Sequence, residues 1–398
     1  MVTSIDREET EAGLKPGWRM VRFGDVVSNV DINERDPLAN DLERYVGLEH
    51  LDPESLHIQR WGLIEEGTSF TRKFVTGQVL FGKRRAYQHK AAVADFDGIC
   101  SGDILVFEAK DDLLPELLPF IVQSDPFYEH ALNTSAGSLS PRTKWKDLAA
   151  YEFALPPKDE QRRIADILWA ADEAIEYQIG VKKALENCAR NVTNDLVKKG
   201  LSNWAVIELG EIAEVSYGLT INGERRKLTL EKPYLRVANV MKGILDLDEI
   251  KVIGCTFEDI NKFALHNGDV LVVEGHASVD EIGRAALWHG EIVGCLHQNH
   301  ILRVRCKSNL IPEYFVTYLN SPLGRKYIQQ HAKSSSGLNT INSTVLKQIP
   351  VPLPSLETQK SFVEVTQSFE QSIEDAKNHI ASLIQLKKAL LSFILASN

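Results

Sequence analysis

The chain has 398 residues, of which 43% are hydrophobic, so it is long enough to form two hydrophobic cores of ordinary size. Its formal net charge of -10 argues against indiscriminate nucleic-acid binding, which depends on neutralising phosphates with Lys and Arg, although a local basic surface is compatible with that total. The five cysteines are scattered and include no Cys-x-x-Cys pair, which argues against a disulfide framework and indicates reduced thiols.

The N-terminal extension, residues 1–16, is polar and acidic. It lacks the apolar segment that a secretion signal needs, and no apolar run elsewhere reaches the length of a membrane-spanning helix. The sequence therefore predicts a cytoplasmic protein.

The chain then repeats itself. The segment WRMVRFGDVV from Trp18 matches WAVIELGEIA from Trp204, and TGQVLFGKR from Thr76 resembles NGDVLVVEG from Asn267. Short apolar runs bounded by Gly and Pro are typical of strands, and a few helical segments lie between them. We therefore predict two similar α+β domains, over residues 17–157 and 201–355.

Each predicted domain ends at prolines and is followed by a long helical pattern. The segment LPPKDEQRRIADIL begins at Leu155 and LPSLETQKSFVEVT begins at Leu353. We predict helices over residues 158–200 and 356–398, and we expect Gly200 to end the first helix. Apolar residues recur at alternating spacings of four and three over roughly four heptads in both helices, which is typical of a coiled coil.

A single helix cannot bury such an apolar seam, so the two helices are expected to pack on each other; pairing with helices of another chain is the alternative. The sequence thus predicts an α+β fold with two similar domains separated by a long antiparallel two-helix coiled coil, and a pseudo-two-fold internal repeat. Lys387 interrupts the seam, and its ammonium group is expected to reach solvent. Three aromatic residues off the seam are candidates for docking partner proteins: Trp169, Tyr177 and Phe393.

Four segments carry a resemblance to a known family: FALPPKDEQRRI from Phe153, VPLPSLETQKSF from Val351, GQVLFGKRR from Gly77 and GDVLVVEG from Gly268. Together they resemble the specificity (S) subunit of Type I restriction-modification systems. The helix entry with proline, an acid and Gln occurs once after each domain, and this duplication is more specific than a single copy would be.

The resemblance implies that each domain is a target recognition domain for one half of a bipartite double-stranded DNA sequence. It implies that the helices are conserved spacers that set the gap and dock two methyltransferase (modification) subunits, which restriction (motor/nuclease) subunits join. Because the domains have diverged, the half-sites should differ and the target should be asymmetric. The chain itself should be non-catalytic, with the methyl donor and ATP bound only by partner subunits, and it contains neither a P-loop nor a glycine-rich methyl-donor loop.

Basic segments are the candidates for DNA contact, since phosphate contacts hold a protein in register and arginine can read guanine in the major groove. The first domain supplies Lys83, Arg84, Arg85, Tyr87, Lys90, Arg142 and Lys144. The second domain supplies Arg225, Arg226, Lys227, Glu274, His276 and Lys333. Glu274 belongs with them because a carboxylate can accept a hydrogen bond from cytosine. A solvated loop without DNA contact is the alternative for each segment.

The segment CLHQNH places Cys295, His297 and His300 close together, and these residue types can bind zinc. On a strand, however, Cys295 and His297 would face one side and His300 the other. We therefore predict a structural strand and no metal site.

A function of another class is also compatible with the sequence, namely a duplicated coiled-coil scaffold protein that binds proteins and has no DNA role. Salt-sensitive, sequence-selective DNA binding would distinguish a specificity subunit from such a scaffold.

Overall fold

The computed structural model describes residues 14–137, 140–335 and 337–395. Most of the predicted N-terminal extension, residues 1–13, lies outside this description. The chain divides into two compact units: one contains the residues before 180 together with those after 377, and the other contains residues 180–377. Within the described ranges, no helix is both long and apolar enough to cross a membrane.

The first unit is built mainly from short strands. These are β1 Arg19–Arg22, β2 Val27–Asn29, β3 Arg44–Val46, β4 Gly62–Leu63, β5 Arg72–Phe74, β6 Val79–Gly82, β7 Ala91–Val93, β8 Gly98–Cys100, β9 Ile104–Ala109 and β10 Glu152–Leu155. Its short helices are α1 Phe23–Val26, α2 Leu118–Gln123, α3 Asp125–Asn133 and α4 Trp145–Leu148. One four-stranded sheet has the order β2-β9-β6-β7. A second four-stranded sheet has the order β4-β3-β8-β5, in which β3 and β8 run parallel.

A long helix, α5 Lys158–Asn203, leads into the second set of strands. These are β11 Ala205–Glu208, β12 Ala213–Tyr217, β13 Glu231–Leu235, β14 Lys251–Gly254, β15 Asp269–Val273, β16 Gly275–His276, β17 Ala285–Leu287, β18 Leu296–His297, β19 Ile301–Cys306, β20 Lys333–Ser335, β21 Leu338–Thr340 and β22 Pro350–Leu353. The helices are α6 Leu209–Ile212, α7 Phe257–Phe263, α8 Pro312–Asn320, α9 Pro322–His331, α10 Ser343–Lys347 and the long α11 Leu356–Leu395.

The main sheets of the two units have corresponding strand orders. The order β12-β19-β15-β17 repeats β2-β9-β6-β7, and the parallel pair β13 and β18 repeats β3 and β8. Strands β6 and β15 are buried along their whole length, because each has an apolar run that can face protein on both sides. The predicted α+β class and the predicted internal repeat are confirmed.

In each domain, the first and last strands pair with each other in a two-stranded ladder. Strand β1 pairs antiparallel with β10, with Arg19 opposite Leu155, and β11 pairs with β22, with Ala205 opposite Leu353. Proline residues follow at Pro156 and Pro157 in the first repeat and stand within and after β22 in the second. Proline has no backbone N–H to continue a ladder, so Pro156 in the first repeat and Pro354 in the second mark the point at which the chain leaves the sheet for a long helix.

The ends of the long helices belong to the domain cores. Ile164 and Leu168 of α5 and Leu391 of α11 are buried in the core of the first unit, and Phe362 of α11 is buried in the core of the second. Ile175 of α5 and Ala376 of α11, which lie at positions of the predicted apolar seam, are also buried. The prediction that Gly200 ends the first helix is wrong, since α5 continues to Asn203; a helical Gly costs only about 1 kcal/mol, which three further residues of helix can offset.

A buried ionic cluster joins both long helices to the first domain. Asp172 of α5 is 4% exposed, and its carboxylate accepts a hydrogen bond from the ammonium group of Lys387 on α11. The same carboxylate lies 2.6 Å from Nε2 of His57. The Lys387 ammonium group also lies 5.3 Å from the centre of the Phe120 ring. The expectation that this group reaches solvent is therefore wrong, because a carboxylate on the facing helix pairs with it inside the protein.

Candidate nucleic-acid interface

Two loops of the first domain that are distant in sequence come together. The segment after β6 contains Arg84, and the segment before α4 contains Arg142; the two residues form an antiparallel bridge. The backbone N–H of Thr143 donates to the carbonyl of Lys83 at 3.0 Å, and that of Arg85 donates to the carbonyl of Pro141 at 2.9 Å. The structure thus gathers the two predicted basic segments of this domain into one surface.

Asp103, in the turn before β9, connects the two arginines. Arg142 donates from Nε to Oδ1 of Asp103 at 3.0 Å, and Arg84 donates from Nη1 to Oδ2 at 3.3 Å. Arg84 also donates from Nε to Oγ of Ser140 at 2.5 Å. Burial alone would raise the pKa of Asp103, but the hydrogen bonds and charges of the two arginines outweigh burial and hold this pKa below its ordinary value. Asp103 therefore stays ionised and orients both guanidinium groups.

The same surface carries more positive than negative charge. Lys83 is half-buried, and burial together with the nearby charge of Arg72 lowers its pKa. Arg72 forms an ion pair with Asp31 at 2.9 Å. The four cations of this cluster, Lys83, Arg72, Arg84 and Arg142, face the two carboxylates of Asp31 and Asp103. A cluster of this kind attracts anions locally even though the whole chain is acidic.

The other predicted residues of the first domain differ in how accessible they are. Arg85 and Lys144 are exposed, and Tyr87 is 54% exposed. Arg85 adopts a left-handed backbone conformation with φ of 57°, which turns the loop sharply. Lys90 is instead half-buried and donates from Nζ to the carbonyl of Leu48 at 2.7 Å, so its ammonium group already stabilises the fold.

In the second domain a small sheet gathers three of the predicted residues. Strand β21 pairs with both β16 and β20, so that His276 lies opposite Asn339 and Lys333 lies opposite Thr340. Glu274 immediately precedes β16, and its carboxylate lies 2.7 Å from Nδ1 of His300.

Backbone hydrogen bonds show that these two clusters occupy the same place in the repeat. The N–H of Lys83 donates to the carbonyl of Asp103 at 3.0 Å, and the N–H of Glu274 donates to that of His300 at 3.0 Å. The carbonyl of Glu274 accepts from the N–H of Ile341 at 2.9 Å, as that of Lys83 accepts from Thr143. In the first domain the carboxylate thus belongs to the turn before β9, and in the second it belongs to the residue between β15 and β16.

The segment with Arg225, Arg226 and Lys227 is less uniform than its sequence suggests. Arg225 donates to both oxygens of Asp259, at 2.8 and 3.3 Å, and from Nε to the carbonyl of Thr220 at 2.7 Å. The hydrogen bond from Arg225 lowers the pKa of Asp259 to about 2. Arg226 is exposed, and Lys227 makes an exposed ion pair with Glu224 at 2.7 Å. The guanidinium group of Arg225 is therefore used within the chain, whereas Arg226 and Lys227 face solvent.

The three predicted docking aromatics also differ from one another. Tyr177 is 71% exposed and Phe393 is 76% exposed. Trp169 is partly buried instead: its indole N–H donates to the carbonyl of Glu116 at 2.9 Å, and its ring contacts Phe120 edge-on at 5.1 Å between centroids. Trp169 is thus the docking candidate that the first domain partly covers, because this domain packs over that face of α5.

The three residues considered for zinc binding, Cys295, His297 and His300, do not converge on one point. His297 is buried, and its Nδ1 lies 3.0 Å from the carbonyl of Phe263; burial lowers its pKa to about 4, so the ring is neutral at pH 7. His300 pairs with Glu274. In the part of the chain that the structure describes, no group of three or more His, Cys, Asp and Glu side chains is placed to hold a metal ion.

The residues of these clusters that were not predicted from the sequence include Asp31, Arg72, Asp103 and His300. Asp103 is acidic, and a search for basic segments passes over it. The internal repeat could have identified it, because Asp103 and His300 hold equivalent positions, each immediately before the first residue of β9 or β19.

Comparisons with known proteins match both halves of the repeat. Residues 16–187 and 201–385 match the family described as Type I restriction modification DNA specificity domain. A putative type I restriction enzyme MjaX specificity subunit of Methanocaldococcus jannaschii is 31% identical over 193 residues, which cover 48% of this chain and 44% of that protein. The type I restriction enzyme EcoDI specificity subunit of Escherichia coli is 30% identical over 205 residues, which cover 48% of this chain and 43% of that protein. The chain thus aligns with less than half the length of each of these two relatives.

A solved structure has the same fold over nearly the whole of this chain. It is described as showing the structural basis of complex assembly and conformational transition of the type I R-M system. The TM-score is 0.63 at 21% identity, covering 97% of this chain and 99% of that chain.

Proposed function

This chain belongs to the family of Type I restriction-modification DNA specificity domains, and from that premise we propose that it is the DNA-reading, non-catalytic specificity subunit of a Type I restriction-modification complex. The observation that carries the proposal is the pair of equivalent clusters, one in each domain. Arg84 and Arg142 with Asp103 occupy the place that Glu274 and His300 occupy in the second domain.

Each cluster has the chemistry that base recognition needs. A side chain whose orientation is already fixed contacts a base edge more precisely. Ion pairs with Asp103 fix the arginines in the first domain, and a hydrogen bond joins Glu274 and His300 in the second. Exposed basic residues beside the clusters, Arg85 and Lys144 in the first domain and Lys333 in the second, supply contacts to phosphates. The proposed DNA surface thus combines oriented readers with flanking positive charge.

The two domains read different half-sites. A shared backbone framework holds two arginines in one domain and a glutamate with a histidine in the other, and these side chains form different hydrogen bonds with base edges. The target is therefore a bipartite double-stranded DNA sequence without symmetry.

The long helices serve as spacer and docking surface. Helices α5 and α11 begin immediately after the two domains, and each contributes buried side chains to a domain core, which makes a firm connection. We infer that they pair as an antiparallel coiled coil, set the gap between the half-sites and bind two methyltransferase subunits, which restriction subunits join. The exposed rings of Tyr177 and Phe393 are suited to such docking. The methyl donor and ATP belong to the partner subunits.

The test is to map methylated bases in host DNA when this chain is co-expressed with its modification subunits. We expect a single asymmetric target with two specified parts and a constant gap, together with DNA binding that weakens steeply as salt rises. A complex that assembles but leaves no sequence-selective methylation, and binds DNA without sequence preference, would instead indicate a coiled-coil scaffold protein.

A further inference from the structure

One feature of the first domain goes beyond general DNA reading. A single carboxylate, that of Asp103, accepts hydrogen bonds from two guanidinium groups: from Arg142 at 3.0 and 3.4 Å, and from Arg84 at 3.3 Å. Two arginines held on one acid have fixed planes and leave further N–H donors unused, since each guanidinium group carries five.

The exposure of the three side chains shows which of them can meet a ligand. The side chain of Asp103 is 22% exposed, whereas those of Arg84 and Arg142 are 37% and 52% exposed. The Asp103 carboxylate is therefore the least exposed of the three groups, and the two more exposed groups are hydrogen-bond donors. A ligand that fits this surface presents acceptors.

Among base edges in the major groove, guanine presents two adjacent acceptors, O6 and N7, whereas adenine places an amino donor beside N7. The charge of the cluster also favours an electron-rich partner, because Lys83 and Arg72 add positive charge next to the pair. We propose that Asp103 is a positioning residue that aligns Arg84 and Arg142 as a guanine reader in the first half-site, an inference that rests on the proposed DNA-reading function.

The second domain lacks this reader. Glu274 occupies the position of Lys83, and His300 occupies the position of Asp103, so the equivalent place carries one imidazole on one carboxylate and no arginine pair. The guanine that Arg84 and Arg142 read accordingly belongs to the first half-site only.

The experiment compares methylation maps of the co-expressed complex with wild-type chain, Asp103→Asn and Arg142→Lys. We expect wild type to require guanine at a position in the first half-site. Both variants should lose that preference by about 10-fold or more at this position, while the second half-site stays unchanged. Asp112→Asn is the matched control: it removes a carboxylate from another arginine pair of the same domain, Arg19 with Asp112 at 2.7 Å. This control should leave the guanine preference intact.

The outcomes separate the two proposals. If wild type shows no bipartite target at all, the proposed function fails. If wild type reads a bipartite target but Asp103→Asn and Arg142→Lys keep an unchanged first half-site, the assignment of Asp103 fails alone. A merely structural role for Asp103 would lower methylation at all sites equally, with thermal unfolding at lower temperature and no change in base preference, and that result also overturns the assignment.

Discussion

Gln161 and Gln359, one in each repeat, make the same three hydrogen bonds. The side-chain oxygen of Gln161 accepts from the N–H of Leu114 at 2.8 Å, and its amide donates to the carbonyls of Asp112 and Pro156 at 3.0 and 2.8 Å. Gln359 repeats this with Ile311, Asn309 and Pro354, at 2.8, 3.0 and 3.0 Å. Both side chains are essentially inaccessible, at 1% and 0% exposed. The Gln of the duplicated motif therefore fastens the first turn of each long helix to a loop of the domain before it.

Gln161→Leu and Gln359→Leu should each destabilise the protein by about 3 kcal/mol, because each removes three hydrogen bonds, of which the one to the carbonyl of Pro156 or Pro354 is buried. Urea unfolding of the purified chain measures the loss. Gln371→Leu is the control, since Gln371 is exposed and bonds only to Asp375 on its own helix. Equal midpoints for all three variants would contradict the role of the buried pair.

Lys387→Met should destabilise the first unit by about 3 kcal/mol, since it removes the ammonium group from the buried carboxylate of Asp172 and leaves His57 as its remaining partner. Lys388→Met, one residue along, removes an ion pair with Glu54 whose side chains are about half exposed, and should cost less than about 1 kcal/mol. Denaturant unfolding of the two variants provides the comparison. The buried cluster would lose its assigned importance if both changes had equally small effects.

His57 should make stability pH-dependent. Its hydrogen bond with Asp172 raises the pKa of His57 above 6.5 and outweighs burial, which lowers it; the charge of Glu176 acts with Asp172, and that of Lys387 acts against it. Because the folded pKa lies above the unfolded pKa, the stabilisation is fully present below pH 6.5 and is lost as pH rises through the folded pKa.

Unfolding free energies measured from pH 5.5 to 9 should therefore fall across that window for wild type and not for His57→Asn. His379→Asn, at an exposed position of α11, should keep the wild-type slope. An identical slope in His57→Asn would show that another group causes the pH dependence.

Replacing Arg226 with alanine should affect DNA binding, whereas replacing Arg225 with alanine should affect stability. Arg226→Ala should weaken DNA binding by the complex and reduce the slope of log affinity against log salt by about one, as expected for the loss of one phosphate contact. Arg225→Ala should instead destabilise the second unit by about 1–3 kcal/mol, because it removes a paired guanidinium group from Asp259. Filter binding across a salt series and denaturant unfolding distinguish the two effects; a salt slope unchanged in Arg226→Ala would remove that residue from the DNA surface.

Inserting seven residues at matched points of α5 and α11 should lengthen the gap of the recognised target by about 3 base pairs, because a heptad adds ~10 Å of helix and DNA rises ~3.4 Å per base pair. Methylation mapping reads the gap directly. A gap that stays constant in a complex that still methylates would show that the helices do not set it.

The sequence predicted those features that depend on local pattern. Strand runs such as VLFG in β6, the proline stop before each long helix and the internal repeat all follow from neighbouring residues, and the structure contains them. Partners distant in sequence were not predictable in this way. Nothing near Lys387 indicates that Asp172 faces it, and nothing near Trp169 indicates that Glu116 accepts its N–H.

In the candidate site, too, local features were predictable from the sequence and long-range partners were not. Its basic segments are visible in the sequence, but the acid that orients Arg84 and Arg142 lies in a different segment, at Asp103. Arg225 illustrates the converse: a basic run predicted a DNA contact, and the fold pairs this side chain with Asp259. The contacts that show whether an arginine is already paired within the fold are long-range.

The ladders that close the domains, β1 with β10 and β11 with β22, have a consequence for the evolution of the gene. Because the first and last strands of a domain lie side by side, a whole domain is a cassette whose two ends meet at one point of the fold. Two crossovers in these short segments exchange the cassette and leave both long helices intact. Under the proposed function, such an exchange would replace one half-site in a single genetic event and leave unchanged the helices that we propose as the docking surface.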